Sequence, residues 1–309
     1  MQVHFFDNDC RAVDGRAGIL TGMPSPSSPT VLRRQLGAEL RRIRDHARRT
    51  VADVAGELGW SESKLSRIET AHTGIRKLDL ERLLRTYGCD DRTRSRLDAV
   101  AVRARQRAWW EAYGDVLPDA YETYIGFEAE AVSIATYQAQ LVPGLLQTAE
   151  YANAVMRAFL DDRSDVIEQR VQVRMARQAV LTRDPSPQLS VILDEAVLRR
   201  PIGGPKVFRR QLLRLIEASG RPTVTILVLP FSIGAHRALD GSFVLLDFAQ
   251  KSDPALAYSE GMTGGVFRHR PDDVAGYRAT FEALRRRALS SEKSITLIEA
   301  LARVDGSPE

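Results

Sequence analysis

The chain has 309 residues, of which 44% are hydrophobic and 27% charged, and this composition is ordinary for a globular protein of one large or two medium domains. Its two cysteines, Cys10 and Cys89, are too few for a disulfide framework or a four-ligand zinc site. No apolar run approaches the roughly 18 residues of a membrane helix, and residues 1–20 lack the basic start and apolar block of a secretory signal. We therefore expect a cytoplasmic protein without membrane contact.

Positive charge is concentrated in one quarter of the chain. The net charge of +4 divides into 19 basic and 11 acidic residues within 30–108, against 25 basic and 29 acidic residues elsewhere. A basic segment of this kind is the electrostatic pattern of a nucleic-acid-binding domain, although a solvated basic surface without a ligand has the same composition. Charge alone leaves both interpretations open.

Residues 1–30 are expected to form a disordered extension and linker. Residues 24–30 (PSPSSPT) are rich in proline and serine and show no helical or strand period, which is typical of a flexible linker. Because Met23 stands directly before this stretch, we hypothesise that Met23 is the native start and that residues 1–22 are an upstream extension. An intact mass of the native protein that includes residues 1–22 would refute this hypothesis.

Residues 31–107 are predicted to form an all-α domain of five helices. Apolar residues recur at helical spacing in the first helix, at Leu32, Leu36, Leu40 and Ile43. Thr50, with Asp53 three residues later, predicts the start of a second helix that ends at Gly59. The remaining helices are predicted at 61–69, with Ser61 as the N-cap, at 78–87 and at 91–106.

The second and third helices have the residue pattern of a helix-turn-helix unit. Their inner faces are apolar and consist of Val54, Ala55 and Leu58 on the second helix and Leu65 and Ile68 on the third. The small Ala55 suits the crossing point of the helices, and Gly59 suits the sharp turn because glycine adopts positive φ without a steric penalty. Helices crossed in this way can place the second one in the major groove of DNA, which is wide enough to admit it.

The opposite side of the third helix is polar. We predict that Glu62, Ser63, Ser66 and Arg67 point outward, with Ser61 and Lys64 near the rim. Arg67 suits a bidentate bond to guanine, and Lys64 suits a phosphate. The serines are short enough to approach phosphates or base edges, whereas Glu62 would accept from a cytosine amino group but repel phosphate. Together with Thr50, these six residues are the candidate DNA contacts.

On these residues the domain resembles the Xre-type, lambda-repressor-like helix-turn-helix family. The resemblance rests on Leu36–Arg44 (LGAELRRIR), Ala55–Ser63 (AGELGWSES) and Leu65–Glu69 (LSRIE). It implies a regulator that binds double-stranded DNA with residues 61–69 as the recognition helix. We expect Glu69 to have a structural role, paired with an arginine of the first helix such as Arg41.

One position departs from the family pattern. Members often carry glutamine directly after the N-cap of the second helix, where it contacts phosphate and supports the recognition helix. Val51 occupies that position in this chain. Phosphate contact is therefore expected to depend more on Thr50, Arg48 and Arg49.

Residues 108–305 are predicted to form a mixed α/β (α+β) domain, because β-type runs alternate with helices once the arginine density falls. We predict strands at Thr123–Phe127, Leu189–Leu193, Thr223–Leu229, Ser242–Asp247 and Ala255–Tyr258. We predict helices at Thr148–Phe159, Asp165–Leu181, Lys206–Ala218, Asp272–Ala288 and Glu292–Val304.

This second region resembles the C-terminal domain of unknown function that follows the DNA-binding module in many actinobacterial regulators. The resemblance rests on Trp110–Glu111, Glu128–Ala131, Leu141–Ala152, Ser259–Gly261 and Val274–Leu289. Such regulators often pair with a small protein encoded nearby, so the resemblance implies a small partner protein. A homodimer is expected as well, because one recognition helix reads few base pairs and two half-sites multiply specificity. Ligand sensing is a further possible role of this domain.

An enzyme or toxin-like effector, with the helix-turn-helix unit serving autoregulation, is the alternative. The sequence lacks the HExxH, CxxC, GxSxG, GxxxxGK and GxGxxG motifs, and we predict no catalytic residue, cofactor or metal. Glu128, Glu130 and Glu260 would have to converge for acid–base catalysis, but ordinary ion pairs are the favoured interpretation. A third interpretation is an assembly module whose helix-turn-helix unit contacts protein rather than DNA.

Overall fold

A computed structural model describes residues 29–71, 73–104, 109–160, 164–249, 254–262 and 264–304. The predictions for residues 1–28, including a native start at Met23, lie outside the described residues. As predicted, a helical domain precedes a second domain of helices and a mixed sheet. Among the described residues, no helix is both long and apolar enough to cross a bilayer.

The part of the first domain that the structure describes contains five α-helices around a leucine-rich core. They are α1 (Pro29–His46), α2 (Val51–Leu58), α3 (Glu62–Glu69), α4 (Lys77–Thr86) and α5 (Asp91–Ala104). Leu36 and Leu40 of the predicted stripe are buried in one cluster with Leu65, Leu80 and Leu97. The linker prediction is wrong at its end, because residues 29 and 30 already belong to α1. Proline is tolerated there, since the first turn of a helix needs no intrahelical N–H donor.

Within its described residues, the second domain contains six α-helices and six strands. The helices are α6 (Asp119–Glu130), α7 (Ala149–Phe159), α8 (Ser164–Arg177), α9 (Pro205–Ser219), α10 (Pro271–Arg287) and α11 (Ser291–Val304), with a 3-10 helix at Trp109–Tyr113 before them. The strands are β1 (Ser133–Gln138), β2 (Gln188–Asp194), β3 (Val224–Leu229), β4 (Phe243–Asp247), β5 (Leu256–Gly261) and β6 (Gly264–Arg268).

The strands form one sheet in the order β3-β2-β1-β4-β5-β6. β1, β2 and β3 pair in parallel, whereas β4, β5 and β6 join by antiparallel pairing. Alternate residues enter two different cores: Val191 of β2 packs with Leu212 of α9, and the next residue, Ile192, packs in a cluster with Phe281 of α10. Because a strand points successive side chains to opposite faces, helices cover both faces of the sheet.

One predicted strand is wrong, and two strands were not predicted. The run at Thr123–Phe127 lies inside α6, where all of Tyr124–Glu128 is buried. Its aromatic and β-branched residues favour strands only weakly, and burial on several sides of a helix overrides that preference. β1 (SIATYQ) and β6 (GGVFR) were missed because alanine and glycine dilute their β-type residues.

Arg34 of α1 connects the two domains. Its guanidinium carbon lies 5.3 Å from the ring centroid of Phe127 and 5.6 Å from that of Phe248. Its Nη2 donates to the carbonyl oxygen of Pro254 at 2.8 Å. The contact therefore combines two cation–π interactions with a hydrogen bond, and it fastens α1 to the second domain.

Candidate nucleic-acid interface

The start of α2 is fixed by a reciprocal capping box. The hydroxyl of Thr50 accepts the backbone N–H of Asp53 at 3.1 Å, and the backbone N–H of Thr50 donates to the Asp53 carboxylate at 3.0 Å. Hydrogen bonds from Thr50 lower the pKa of Asp53 below its ordinary value. The prediction that Thr50 is the N-cap of α2 is confirmed. Thr50 is an exposed residue at the start of the helix.

The turn between α2 and α3 depends on a glycine. Gly59 has φ 68° and donates its N–H to the carbonyl oxygen of Gly56, while Trp60 donates to that of Ala55 at 2.8 Å. The hydroxyl of Ser61 then accepts the backbone N–H of Lys64 at 3.2 Å and caps α3. Both the glycine turn and the second cap follow the sequence prediction.

The inner faces of α2 and α3 are buried as predicted. Val54, Ala55, Leu58, Leu65 and Ile68 are each at most 6% exposed. A contact that was not predicted brings α1 against the end of α3: a Cβ on Gly37 would lie 2.6 Å from the carbonyl oxygen of Glu69. Glycine is therefore required at residue 37 for the two backbones to approach so closely.

Glu69 has the structural role predicted for it, but with a different arginine. Its carboxylate accepts Nε and Nη2 of Arg44, whereas Arg41 lies 3.6 Å from Asp45 on the surface. These hydrogen bonds to Glu69 raise the pKa of Arg44 above its ordinary value. Arg44, rather than Arg41, pairs with Glu69 because Arg44 lies on the side of α1 that faces the core, where Leu40 is also buried.

The polar side of α3 is open to solvent. We define the α3 ridge as Ser61, Glu62, Ser63, Ser66 and Arg67, and all five are exposed. The second domain does not cover them. Within the described part of the chain, the side chain of Arg67 has no ion pair, so its guanidinium is available to an incoming ligand.

Lys64, at the rim of this ridge, is already engaged. Its Nζ lies 2.9 Å from the Asp79 carboxylate and 3.9 Å from the centroid of the Trp60 ring. Sequence reasoning missed both partners. The charge of Lys64 is therefore partly neutralised before any phosphate approaches.

The basic residues ahead of α2 differ in availability. Arg49 pairs with Glu57 at 2.5 Å and donates to the carbonyl oxygen of Thr86 at 3.3 Å, so it joins α2 and α4. Arg48 is exposed at φ 55°, and no described residue forms an ion pair with it. Of the two arginines expected to assist phosphate contact, Arg48 is the one that remains unpaired.

Two family models match the chain. A helix-turn-helix domain model matches residues 35–97, and a model described as a domain of unknown function (DUF5753) matches residues 121–300, more than half of the chain. The chain belongs to the DUF5753 family. No curated protein and no solved structure matches it. The helix-turn-helix match points to a DNA-binding regulator, whereas the DUF5753 match carries no stated activity.

Of the three carboxylates considered for catalysis in the DUF5753 domain, Glu130 is half-buried at the end of α6, and the other two have contrasting surroundings. Glu128 is 1% exposed, and its oxygens accept from Arg177 at 2.8 and 2.6 Å and from Tyr124 at 2.8 Å. Glu260, in contrast, is an exposed residue on β5. The ion-pairing interpretation is confirmed for Glu128, whose carboxylate is fully engaged by its neighbours.

Proposed function

We propose that this DUF5753 protein is a sequence-specific transcriptional regulator of the Xre type that inserts α3 into the major groove of double-stranded DNA. The observation that carries the proposal is the exposed α3 ridge, which lies opposite the buried Leu65 and Ile68. A helix supported on one side and polar on the other can present side chains to base edges.

The residues of the α3 ridge differ in the DNA groups that they can bind. Arg67 is the candidate for bidentate recognition of guanine, because its fork of donors matches the two acceptors of that base. Ser61 and Ser63 lie at the N-terminal end of α3, where the helix dipole favours a phosphate. Ser66 can approach a base edge, and Glu62 can accept from a cytosine amino group.

We also propose that the protein acts as a homodimer on a palindromic operator, because two half-sites about one helical turn apart multiply the specificity of one short helix. The DUF5753 domain would then dimerise, sense a ligand or bind a small partner protein. A footprint that covers a single asymmetric half-site would argue against the dimer.

The test is selection of bound duplexes from a random DNA library by the full chain, followed by affinity measurements on the selected sequence. Arg67→Ala should weaken binding by about 1–3 kcal/mol, roughly 5- to 150-fold, and relax specificity at one base pair. Arg92→Ala, at an exposed arginine of α5, is the matched control and should bind like the parent. The proposal fails if no duplex is enriched or if Arg67→Ala binds like the parent.

A further inference from the structure

Helix α10 covers one face of the sheet alone. The buried cluster on that face contains Val274, Phe281 and Leu284 of α10, and no other described α-helix contributes to it. A helix about 10–12 Å wide cannot cover six strands, which together span about 24 Å. Thr225 of β3 and Val266 of β6 lie on the same face by their register and are exposed. This helical layer is therefore incomplete, and the outward side of α10 is open to solvent.

The outward side of α10 follows a regular repeat. Its residues are spaced four, three, four and three positions apart: Asp272, Gly276, Ala279, Ala283 and Arg286. All are exposed except Ala283, which is half-buried. This spacing places the five residues on one side of the helix, and it is the repeat by which two helices pack along each other. The small residues in the middle would allow a second helix to approach to the short end of the usual range of about 8–10 Å.

The two ends of this outward side carry opposite charges. Asp272 lies in the first turn of α10 and Arg286 in the last turn. Neither forms an ion pair with a residue that the structure describes, whereas the neighbouring Arg285 pairs with Glu282. An aspartate and an arginine are thus both available to a partner that presents the complementary charges.

These charges are arranged symmetrically about Ala279. Asp272 stands seven residues before Ala279, and Arg286 stands seven residues after it. A two-fold axis at Ala279 would therefore bring Asp272 of each copy to Arg286 of the other, as the self-complementary interface of a two-fold dimer requires. The antiparallel arrangement also sets opposite ends of the two helix dipoles side by side, whereas a parallel one would bring like charges together. The partner that fits this surface is a second copy of the chain.

We propose that two copies of this protein form a homodimer by packing their α10 helices antiparallel along this outward side. The inference rests on the proposed function for the role of the homodimer, but the surface belongs to the DUF5753 domain and can be measured without DNA. One pair of helices about 25 Å long buries less than the roughly 800 Å² per partner of a stable interface. The free dimer should therefore dissociate at micromolar concentration, and joint binding to two half-sites should reinforce it.

The test is sedimentation equilibrium of the full chain without DNA, at concentrations up to about 100 μM. Asp272→Arg and Arg286→Asp each create like charges at both ends of the contact, and each should weaken self-association at least tenfold. Asp165→Arg, in the exposed first turn of α8, is the matched control and should associate like the parent. Circular dichroism checks that each variant is folded.

The two single variants should associate with each other when they are mixed, because every end contact between them again joins an aspartate to an arginine. The double variant, with Asp272→Arg and Arg286→Asp in one chain, should self-associate like the parent. Damage to the fold would not be rescued in either way.

The proposal is overturned if the parent stays monomeric over this concentration range or if the single variants associate like the parent. It is also overturned if neither the mixture nor the double variant restores association. These outcomes are separate from the selection of DNA duplexes: failure of that selection by a chain that dimerises as described would overturn the regulator proposal and leave the α10 surface in place.

Discussion

Glu69 and Arg44 form a buried, bidentate ion pair in which the carboxylate oxygens lie 2.7 and 2.8 Å from Nε and Nη2. The two side chains are only 4% and 8% exposed. The third nitrogen of Arg44 donates to the carbonyl oxygen of Arg49 at 2.8 Å, directly before the N-cap of α2. One arginine of α1 therefore positions both helices of the helix-turn-helix unit.

Glu69→Ala should lower the free energy of unfolding of the helical domain by about 3–5 kcal/mol, because it removes the buried counter-charge of Arg44 and leaves the guanidinium with only Asp45, whose side chain is 56% exposed. Urea denaturation followed by circular dichroism measures the change. Arg41→Ala removes a partner from the exposed pair with Asp45 and should cost less than about 1 kcal/mol. Equal losses for the two variants would contradict the structural importance of the buried pair.

Gly37→Ala should destabilise the same domain by about 1–3 kcal/mol, because the new Cβ would overlap the carbonyl oxygens of Glu69 and Ile68 at 2.6 and 2.7 Å. Gly56→Ala in α2 is the matched control. Apart from the neighbouring backbone of α2 itself, no atom lies within 4 Å of a Cβ at residue 56, and alanine favours a helix by up to about 1 kcal/mol over glycine. Thermal unfolding should therefore move in opposite directions for the two variants, and a shared direction would disprove the close approach.

Stability should also depend on the ionisation of Glu39. Hydrogen bonds from Arg42 and Arg96, the second across to α5, lower the pKa of Glu39 from an ordinary 4.5 to about 2. A lowered carboxyl pKa stabilises the fold above pH 4.5, and this contribution is lost as the pH falls toward 2. The effect on stability is small, because Arg42 and Arg96 are largely exposed and solvent screens their interaction with Glu39.

The measurement compares urea midpoints at pH 5.5 and at about pH 3 for the parent and for Glu39→Gln. The urea midpoint of the Glu39→Gln variant should fall less between the two pH values than that of the parent, because the variant has no carboxyl group to protonate at residue 39. Glu62→Gln, at an exposed carboxylate of α3 that forms no ion pair with a described residue, serves as the control. If Glu39→Gln retains the full decrease, the pKa of Glu39 is not lowered by folding.

Local signals predicted the helix-turn-helix unit well. Thr50, Asp53 and Gly59 act through neighbours within three residues, so their cap and turn chemistry is visible in the sequence. The contacts between helices were less predictable. Arg41 and Arg44 are both arginines of α1, and only the packed structure shows which of them turns toward Glu69.

In the second domain, too, contacts between distant residues could not be predicted from local sequence. Helix α6 contains a run typical of a strand at residues 123–127, yet it forms a helix that contributes Phe127 and Glu128 to the interior. Tertiary burial decided that segment, and strand propensity could not anticipate it. The contacts of Arg177 and Arg183 with the end of α6 likewise join residues about 50 positions apart, and no local pattern reveals them.

Lys64 provides a test of how its ion pair with Asp79 affects the affinity for DNA. Its ammonium is shared between Asp79 and a DNA phosphate if the proposed docking is correct, so Asp79→Asn should strengthen binding to every DNA sequence by releasing Lys64. Lys64→Gln should weaken binding evenly across sequences and reduce the slope of log affinity against log salt by less than about 1, because only part of its charge is available.

The decisive measurement is a double-mutant cycle of these two changes, with DNA affinity determined over a series of salt concentrations. The gain from Asp79→Asn should disappear in the Lys64→Gln background, because no ammonium remains to be released. Asp91→Asn, at an exposed carboxylate of α5, is the control for a general loss of negative charge. A gain from Asp79→Asn that persists without Lys64 would show that Asp79 repels DNA directly, and Lys64 would then be a structural residue that holds Trp60.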